Sequence, residues 1–356
     1  MKIFKNKYFY TFIIALGLLI SCVNEEPVKD SVDEGTDVES DYVMMSLNIN
    51  ASDIAPGALT KERNKLNPIL RETAPEDDGE KMNSLRIIVV RPNGVVEQNQ
   101  FFDLTSPVMS FVVKMKVYKS ESKKIYLIAN EGTKNAEGGN LINYDFNTIA
   151  QNFAFPEAAL NDLLMETHSN TEILPSPVPM TDCHIVFAPA KDFSANLFIT
   201  RAVVKFTFKI VNKTSNPISL GNLEIFKIAR KSFVFPRVTE YDAQNNIVKF
   251  DVPQVLNNDY YIYNINVGNS VPAANSYEIR KIYLLEGKFV DAQDARNYSM
   301  SLVVNDQKMS QYFPNLKQLP RNSHVLVTVT VNDAAANWEA EVIPFTGVDL
   351  SPEFGI

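Results

Sequence analysis

The chain has 356 residues, of which 45% are hydrophobic and 21% charged. That is an ordinary globular composition, and the length suggests two domains at about 150 residues each. Its 42 acidic and 34 basic residues leave a formal net charge of −8, which argues against nucleic acid or an anionic membrane surface as a partner.

The first residues have the pattern of a lipoprotein export signal. Three lysines precede an apolar run over residues 9–20, and the small residue Ser21 stands before Cys22. The run is shorter than the roughly 20 residues that span a bilayer. Residues 1–21 are therefore predicted to be a removed signal peptide, and Cys22 is expected to carry the diacylglycerol and palmitate of a lipoprotein. The alternative is an ordinary secretory signal. An acylated Cys22 leaves Cys183 without a disulfide partner.

The segment after the signal contains a tether, a strand and a linker. Residues 22–41 are acidic and polar, which predicts an unfolded tether. Residues 43–50 alternate between apolar and other side chains, which predicts a half-buried strand. Its inward residues are Val43, Met45, Leu47 and Ile49. Residues 51–83 form a polar linker with prolines, glycines and basic residues, and a connection this long is usually functional or disordered.

The next hundred residues are predicted to be mostly strands. Two of them flank a Pro92-Asn93-Gly94 turn and predict a hairpin. The predicted strands are 85–90, 95–104, 109–117 and 123–130. One helix is predicted over residues 156–167, because Pro156 suits a first helical turn and three leucines follow at helical spacing.

The second half has the strand pattern of an all-β sandwich. Residues 198–211 predict one strand, with Lys205 and Lys209 on the face opposite its apolar residues. Further strand-like segments follow at even spacing with turn residues between them, up to the valine-rich 324–331. We predict an N-terminal domain at 42–195, a C-terminal domain at 196–356, and terminal extended strands at 337–356.

No motif points to catalysis, a cofactor or a metal. The three histidines, His168, His184 and His324, lie far apart, and the zinc, phosphate-loop, dinucleotide and nucleophile-elbow motifs are missing from the sequence. The chain has a single tryptophan, Trp338, and the aromatic alternation around Tyr261 is more typical of a core strand than of a sugar-binding surface. No catalytic, cofactor-binding or metal-ligating residue is predicted, and the chain is not expected to be an enzyme.

Several segments occur in one order along the chain. They are the lipobox at Cys22, the first strand and basic linker, Pro179-Met180-Thr181, Ile199 to Lys205, Arg321-Asn322-Ser323-His324 before VLVTVTV, Trp338 to Pro344, and Leu350 to Gly355. In this order they resemble the fimbrillins, the fimbrial subunits of Bacteroidota with their anchor and tip relatives. One departure is Asp182, where glycine is usual.

The resemblance implies a fold and a cellular location. The fold is all-β, with two transthyretin-like β-sandwich domains of Greek-key strands, one short helix, and a signal peptide and acidic tether in front. The location is the cell outer membrane, reached as a surface-exposed lipoprotein, and the fimbrium. The implied partners are other fimbrial subunits, the outer membrane through the lipid, a processing protease, and a ligand on a host or bacterial surface.

The resemblance also implies assembly by strand exchange. A trypsin-like protease would cut the linker after a basic residue, with Arg63 as first choice and Lys61 and Arg71 as alternatives. The lipid and the first strand would leave together, and the tail of a neighbouring subunit would fill the groove. The candidate donor residues are Trp338, Val342, Val348, Leu350 and Phe354. The alternative is a surface lipoprotein that does not polymerise, either a fimbrial anchor or a protein that binds a glycan or another extracellular ligand.

Overall fold

The computed structural model describes residues 41–51, 78–135, 137–167, 174, 176–243, 247–255, 259–288, 298–313, 316, 318–333 and 336–344. Within these ranges the chain is nearly all β with one short helix, which confirms the fold class predicted from the sequence. The predicted signal peptide, nearly all of the tether and most of the basic linker lie outside the described residues. So do Cys22, Lys61, Arg63, Arg71, His168, Val348, Leu350 and Phe354.

The strands of the N-terminal half are β1 (Tyr42–Ala51), β2 (Met82–Val90), β3 (Val96–Val108), β4 (Ser110–Tyr118), β5 (Glu121–Ala129), β6 (Leu164–Glu166), β7 (Met180–Ala188) and β8 (Phe193–Arg201). Seven of them form one sheet in the order β3-β2-β5-β7-β8-β1-β4. The predicted hairpin is present as β2 and β3, which pair antiparallel. β7 and β8 pair where Met180 and Thr181 face Arg201 and Thr200, and β8 then runs parallel to β1.

The strands of the C-terminal half are β9 (Val204–Asn212), β10 (Ile218–Ala229), β11 (Lys231–Phe233), β12 (Arg237–Tyr241), β13 (Ile247–Asp251), β14 (Tyr260–Asn266), β15 (Ser270–Val271), β16 (Ser276–Leu284), β17 (Gly287–Lys288), β18 (Ser299–Val304), β19 (Gln307–Tyr312), β20 (Gln318–Leu319), β21 (Ser323–Val331) and β22 (Ala336–Pro344). Two larger sheets have the orders β14-β10-β18-β19, with β15 also on β10, and β16-β9-β21-β22. Smaller two-stranded sheets are β11-β6, β12-β13 and β17-β20.

Two hydrophobic clusters fill the spaces between these sheets. The first contains the inward residues of the seven-stranded sheet and also residues of the second half, such as Val234, Phe235 and Leu285. The second begins at Val204 and extends to Val331 at the end of β21. Strands such as β1 and β21 alternate and bury one apolar face, whereas β2 and β5 bury runs of consecutive residues on both faces. Among the described residues, no helix has the length and apolar character to cross a membrane.

The strand predicted over residues 198–211 is in fact two strands. β8 ends at Arg201 and β9 begins at Val204, and the chain changes sheets between them. The Ala202 N–H donates to Pro179 O at 2.9 Å, while Val203 O accepts from Asn322 N–H at 2.8 Å. The change therefore falls at residues 202–203, whereas the sequence placed the domain boundary at 195/196. The division into two domains stays a proposal.

The predicted helix is much shorter than expected. The helix α1 covers Glu157–Asn161, and the Asp162 N–H bonds to Ala158 O where it ends. Residues Leu164–Glu166 then form β6 and pair with Lys231–Phe233 of β11. Helix propensity over so few turns is marginal in the absence of tertiary support, and the strand pairing prevails.

Candidate functional site: the first strand and its neighbours

β1 buries one complete face in the first hydrophobic cluster. Met45, Leu47 and Ile49 are 0% exposed and Val43 is 6% exposed. These four are the residues that the alternation placed inward. The residues between them, such as Met44 and Asn50, are exposed or half-buried on the other face. The strand is therefore a core element of its sheet. In sequence, however, the polar linker separates it from the other strands of that sheet.

Two neighbouring strands depend on β1 for their backbone hydrogen bonds. On one side β4 runs antiparallel to it, with Tyr42 opposite Tyr118 and Asn50 opposite Ser110. On the other side β8 runs parallel to it from Met45 to Ala51. In the described part of the chain β4 pairs with no strand but β1. Removing β1 would open a groove with unpaired N–H and C=O groups along both walls.

Side chains hold β1 in register with β8. The Met44 N–H donates to Asp192 Oδ1 at 2.8 Å, and Asn48 Nδ2 donates to Asn196 Oδ1 at 2.8 Å. Asp192 lies just before β8, and Asn196 lies within it. Both bonds are on the exposed side of the sheet, so they fix the register rather than supply much of the stability.

Aromatic rings and cations meet where β1 begins. The ring of Tyr42 lies 4.3 Å from that of Tyr118, centroid to centroid. The Lys116 ammonium lies 4.6 Å from the centre of the Tyr42 ring, and the Arg91 guanidinium lies 3.9 Å from that of Tyr118. Each such contact contributes about 0.5 to 1 kcal/mol at a partly exposed site. The first residue of β1 is therefore tied to β4, and the last residue of β4 in turn contacts Arg91, just after β2.

Side chains of β3 cap the C-terminal end of the other edge of β4. The Tyr118 N–H donates to the Glu97 carboxylate, and Gln98 Nε2 donates to Lys116 O at 2.9 Å. Glu97 also pairs with Lys123, which is fully buried. Side chains that cap backbone groups protect an edge from further strand pairing. Once β1 has left, the whole β1 side of β4 would be open to an incoming strand, whereas the other side is capped at residues 116 and 118.

The end of the linker is fixed to the second half of the chain by Glu80. This residue ends the 3-10 turn Asp78–Glu80 and is 1% exposed. Its carboxylate accepts from the Tyr283 hydroxyl at 2.6 Å and pairs with Lys205 Nζ at 2.8 Å. Its carbonyl accepts from the Arg201 guanidinium at 2.8 Å. The point where the chain resumes after the linker is thus bonded to β8, β9 and β16.

Sequence reasoning missed this buried ion pair. Lys205 was placed on the face of its strand opposite the apolar residues, and it is 2% exposed, whereas Lys209 on the same face is exposed. A buried lysine needs a partner, but nothing in the sequence pattern identifies Glu80. The pattern gives Lys205 and Lys209 equivalent positions, so it carries no signal that only Lys205 is buried.

Asp182, where the fimbrillin pattern has glycine, is fully buried beside the junction of β7 and β8. Its Oδ2 accepts from the Thr200 N–H at 2.7 Å, and its Oδ1 has no partner among the described residues. Burial raises the pKa of this carboxyl to about 8, so it is largely protonated at neutral pH. The Asp182 carboxyl thereby satisfies the Thr200 N–H at the point where β8 separates from β7.

The two described histidines are core residues. His184 Nε2 donates to Phe198 O at 2.7 Å, and His324 Nε2 hydrogen-bonds Thr207 Oγ1 at 2.8 Å. Burial lowers the pKa of each imidazole to about 4. No group of three metal-ligating side chains occurs in the part of the chain that the structure describes.

The predicted donor residues are only partly described. Trp338 and Val342 lie in β22, opposite Val329 and Val325 of β21, at the edge of a sheet of their own chain. The chain continues beyond Pro344 outside the described residues. In this structure, therefore, the segment Ala336–Pro344 is already part of a sheet.

The sequence matches no protein-family model and no curated protein. Solved structures do match. A putative cell adhesion protein from Parabacteroides distasonis superposes with a TM-score of 0.54 at 12% identity, covering 86% of this chain and 98% of that one. The C-terminally truncated tip fimbrial protein Mfa3 from Porphyromonas gingivalis superposes with a TM-score of 0.52 at 12% identity, covering 85% and 99%. The chain therefore has a fimbrillin-type fold, and the resemblance seen in the sequence is confirmed at the level of the fold.

Proposed function

We propose that this protein, whose fold is that of fimbrial and cell-adhesion proteins, is a structural and adhesive subunit of a cell-surface fimbria and has no catalytic activity. The observation that carries the proposal is the position of β1. It is the second strand from one edge of its sheet, its inner face is buried, and both of its neighbours lose a hydrogen-bonded edge if it leaves. A long polar linker with basic residues separates it from the rest of the body.

Export and anchoring precede assembly in this proposal. Cys22 is acylated, the chain is carried to the outer membrane, and the tether holds it at the cell surface. A lipid with two or more acyl chains anchors a protein stably. Replacing Cys22 by alanine should move the protein from the membrane fraction to the soluble fraction. A variant that stays membrane-bound would contradict the lipoprotein assignment.

Proteolysis in the linker then releases β1. Arg63 is the preferred site, with Lys61 and Arg71 as alternatives, since a trypsin-like enzyme needs an accessible basic residue. All three precede Glu80 in the sequence. Glu80 would therefore remain in the cleaved chain and stay bonded to Lys205 and Tyr283. β2 would then keep its place after the cut.

Loss of β1 creates the driving force for assembly. Four buried side chains at about 1.5 to 3 kcal/mol each give about 6 to 12 kcal/mol. A whole domain is stable by only about 5 to 15 kcal/mol. A subunit without β1 must therefore bind a replacement strand, and β-strand addition is the general means of doing so.

The replacement in this proposal comes from the tail of a neighbouring subunit. Because Trp338 and Val342 belong to β22, the donor segment starts after Pro344, and Val348, Leu350 and Phe354 become its apolar residues. Val348 and Leu350 are two apart, which suits one face of a strand. The proposed partners are other subunits of the same or another kind.

A second candidate is a fimbrial anchor that keeps its lipid and its first strand. The register bonds from Asp192 and Asn196 and the aromatic contact of Tyr42 favour it, because they are specific contacts of β1 with its own sheet. The N-terminus of the protein recovered from cells separates the two. An acylated Cys22 supports the anchor, whereas a new N-terminus just after Lys61, Arg63 or Arg71 supports the polymerising subunit.

A further inference from the structure

A polar cavity of about 250 Å³ lies in the loop between β5 and the 3-10 turn Phe146–Thr148. Its walls come from one short segment of chain. The side chains that matter are Glu131, Asn140, Asn143, Tyr144, Asp145 and Asn147. None of them belongs to β1, β4 or β8, so the cavity is separate from the groove proposed for strand exchange.

One wall is held rigidly by Arg86 of β2, which is 3% exposed. Its Nε and Nη2 donate to the two oxygens of Glu131 at 2.7 and 2.8 Å, and Nη2 also donates to Asn147 Oδ1 at 2.9 Å. The charge of Glu131 is thereby neutralised, and the amide of Asn147 is fixed in one orientation. A buried arginine attached to the core sheet makes this wall preorganised.

The opposite part of the lining keeps free hydrogen-bonding capacity. Asp145 Oδ1 accepts from the backbone and side-chain N–H groups of Asn147, both at 3.0 Å, which leaves its Oδ2 available. Asn143 is exposed, and its amide has no partner among the described residues. The half-buried ring of Tyr144 packs 5.1 Å from that of Phe146. The Oδ2 of Asp145, the amide of Asn143 and the ring of Tyr144 thus border one small space.

The charges of the lining exclude several ligand classes. Both cations at the lining are already engaged, Arg86 by Glu131 and Lys134 Nζ by Asn140 Oδ1 at 2.6 Å. Phosphate, sulfate and acidic sugars would therefore have to compete, beside the Asp145 carboxylate, for cations that the lining already engages. A metal ion is disfavoured too, since the described residues contain no group of three carboxylate, histidine or cysteine ligands.

The remaining chemistry fits a neutral sugar. Vicinal hydroxyls can both donate to a carboxylate and exchange hydrogen bonds with an amide, and the apolar face of a sugar ring packs on an aromatic ring. A volume of about 250 Å³ lies just below the roughly 300 to 1,000 Å³ of sites for drug-sized ligands, which suits a ligand about the size of a single sugar ring. We infer that this cavity binds one uncharged sugar residue at the end of a surface glycan.

The test uses the intact full-length protein in detergent on an array of immobilised glycans with neutral and sialylated ends. Binding to a set of neutral termini is expected, with sialylated versions of the same glycans bound at least tenfold more weakly. Asp145→Asn keeps an acceptor for Asn147 but removes the charged one, and Asn143→Ala removes the free amide. Each should weaken binding at least tenfold, measured with the methyl glycoside of the best-bound sugar.

Asp103→Asn is the matched control, because Asp103 is an exposed carboxylate on β3. It should bind as the unchanged protein does. Circular dichroism melting reports whether a variant is folded. If Asp145→Asn unfolds the loop, Asn143→Ala still tests the inference, because it alters only an exposed side chain. Absence of neutral-glycan binding, equal binding of sialylated ends, or unchanged affinity in a folded variant would each overturn the inference.

Discussion

Replacing Leu47 by alanine probes directly how much the body depends on its first strand. Leu47 is 0% exposed and packs in the first hydrophobic cluster, between Met45 and Ile49 on the inner face of β1. Truncation of a fully buried leucine to alanine costs about 2 to 5 kcal/mol, including the cavity that it leaves. This is a large part of the total stability of a domain, about 5 to 15 kcal/mol.

Urea unfolding followed by circular dichroism measures this cost as a shift in the midpoint at constant slope. Asn50→Ala is the control, because Asn50 lies on the same strand but is exposed on the outer face. We expect it to change stability by less than about 0.5 kcal/mol. A loss below about 1 kcal/mol for Leu47→Ala, or equal losses for both variants, would refute the argument that β1 is a core strand. After cleavage in the linker, Leu47→Ala should also release β1 faster and assemble sooner.

Two further predictions concern buried charges. Lys205→Met leaves the buried carboxylate of Glu80 without its counter-ion, so it should lower the free energy of unfolding by about 3 to 5 kcal/mol, measured in urea. Lys209→Met, at an exposed position of the same strand, should be nearly neutral. Stability should also depend on pH. The pKa values of His184 and His324 are lowered by burial from 6.5 to about 4, so unfolding takes up protons and stability falls as pH drops from 6.5 to 4. Burial raises the pKa of Asp182 from 3.8 to about 8, so its contribution is present at low pH and is lost as pH rises towards 8. Between pH 4 and 6.5 the two histidines outweigh Asp182, and above pH 6.5 only Asp182 still titrates. Stability should therefore rise from pH 4 to a maximum near 6.5 and then decline. A maximum at pH 8 or above would contradict this balance.

Local periodicity was enough to predict much of the fold. β1 was predicted because its buried residues alternate with half-buried and exposed ones, and β21 because Val325, Val327, Val329 and Val331 do the same. The turn at Pro92-Asn93-Gly94 predicted the hairpin of β2 and β3 for an equally local reason. In each case the signal lies within about ten consecutive residues.

Features that depend on distant residues were not predictable. The helix expected over residues 156–167 ends early because Leu164–Glu166 pair with β11, which lies far along the chain. The Glu80–Lys205 pair joins a residue just before β2 to a residue of β9, far along the chain. The change of sheet at residues 202–203 interrupts an apolar alternation that has no turn residue in it. The sugar-sized cavity depends on Arg86, whose partners Glu131 and Asn147 lie on another segment.

The central claim is that the tail of one subunit takes the place of β1 in another. Asn196 faces Asn48 across the exposed side of the β1–β8 pair, and Asp349 lies between the apolar Val348 and Leu350, so it should face outward in a donated strand. Cys183 is buried, with a pKa raised by burial to about 12, and should not interfere.

The decisive measurement is disulfide trapping between a subunit carrying Asn196→Cys and another carrying Asp349→Cys, before and after cleavage of the linker with trypsin. The account predicts an intersubunit disulfide after cleavage and none before it, with the same result at position 351 or 353 if the register differs. Complete removal of β1 that gives no cross-link at any of these positions, with subunits that stay monomeric, would contradict strand exchange.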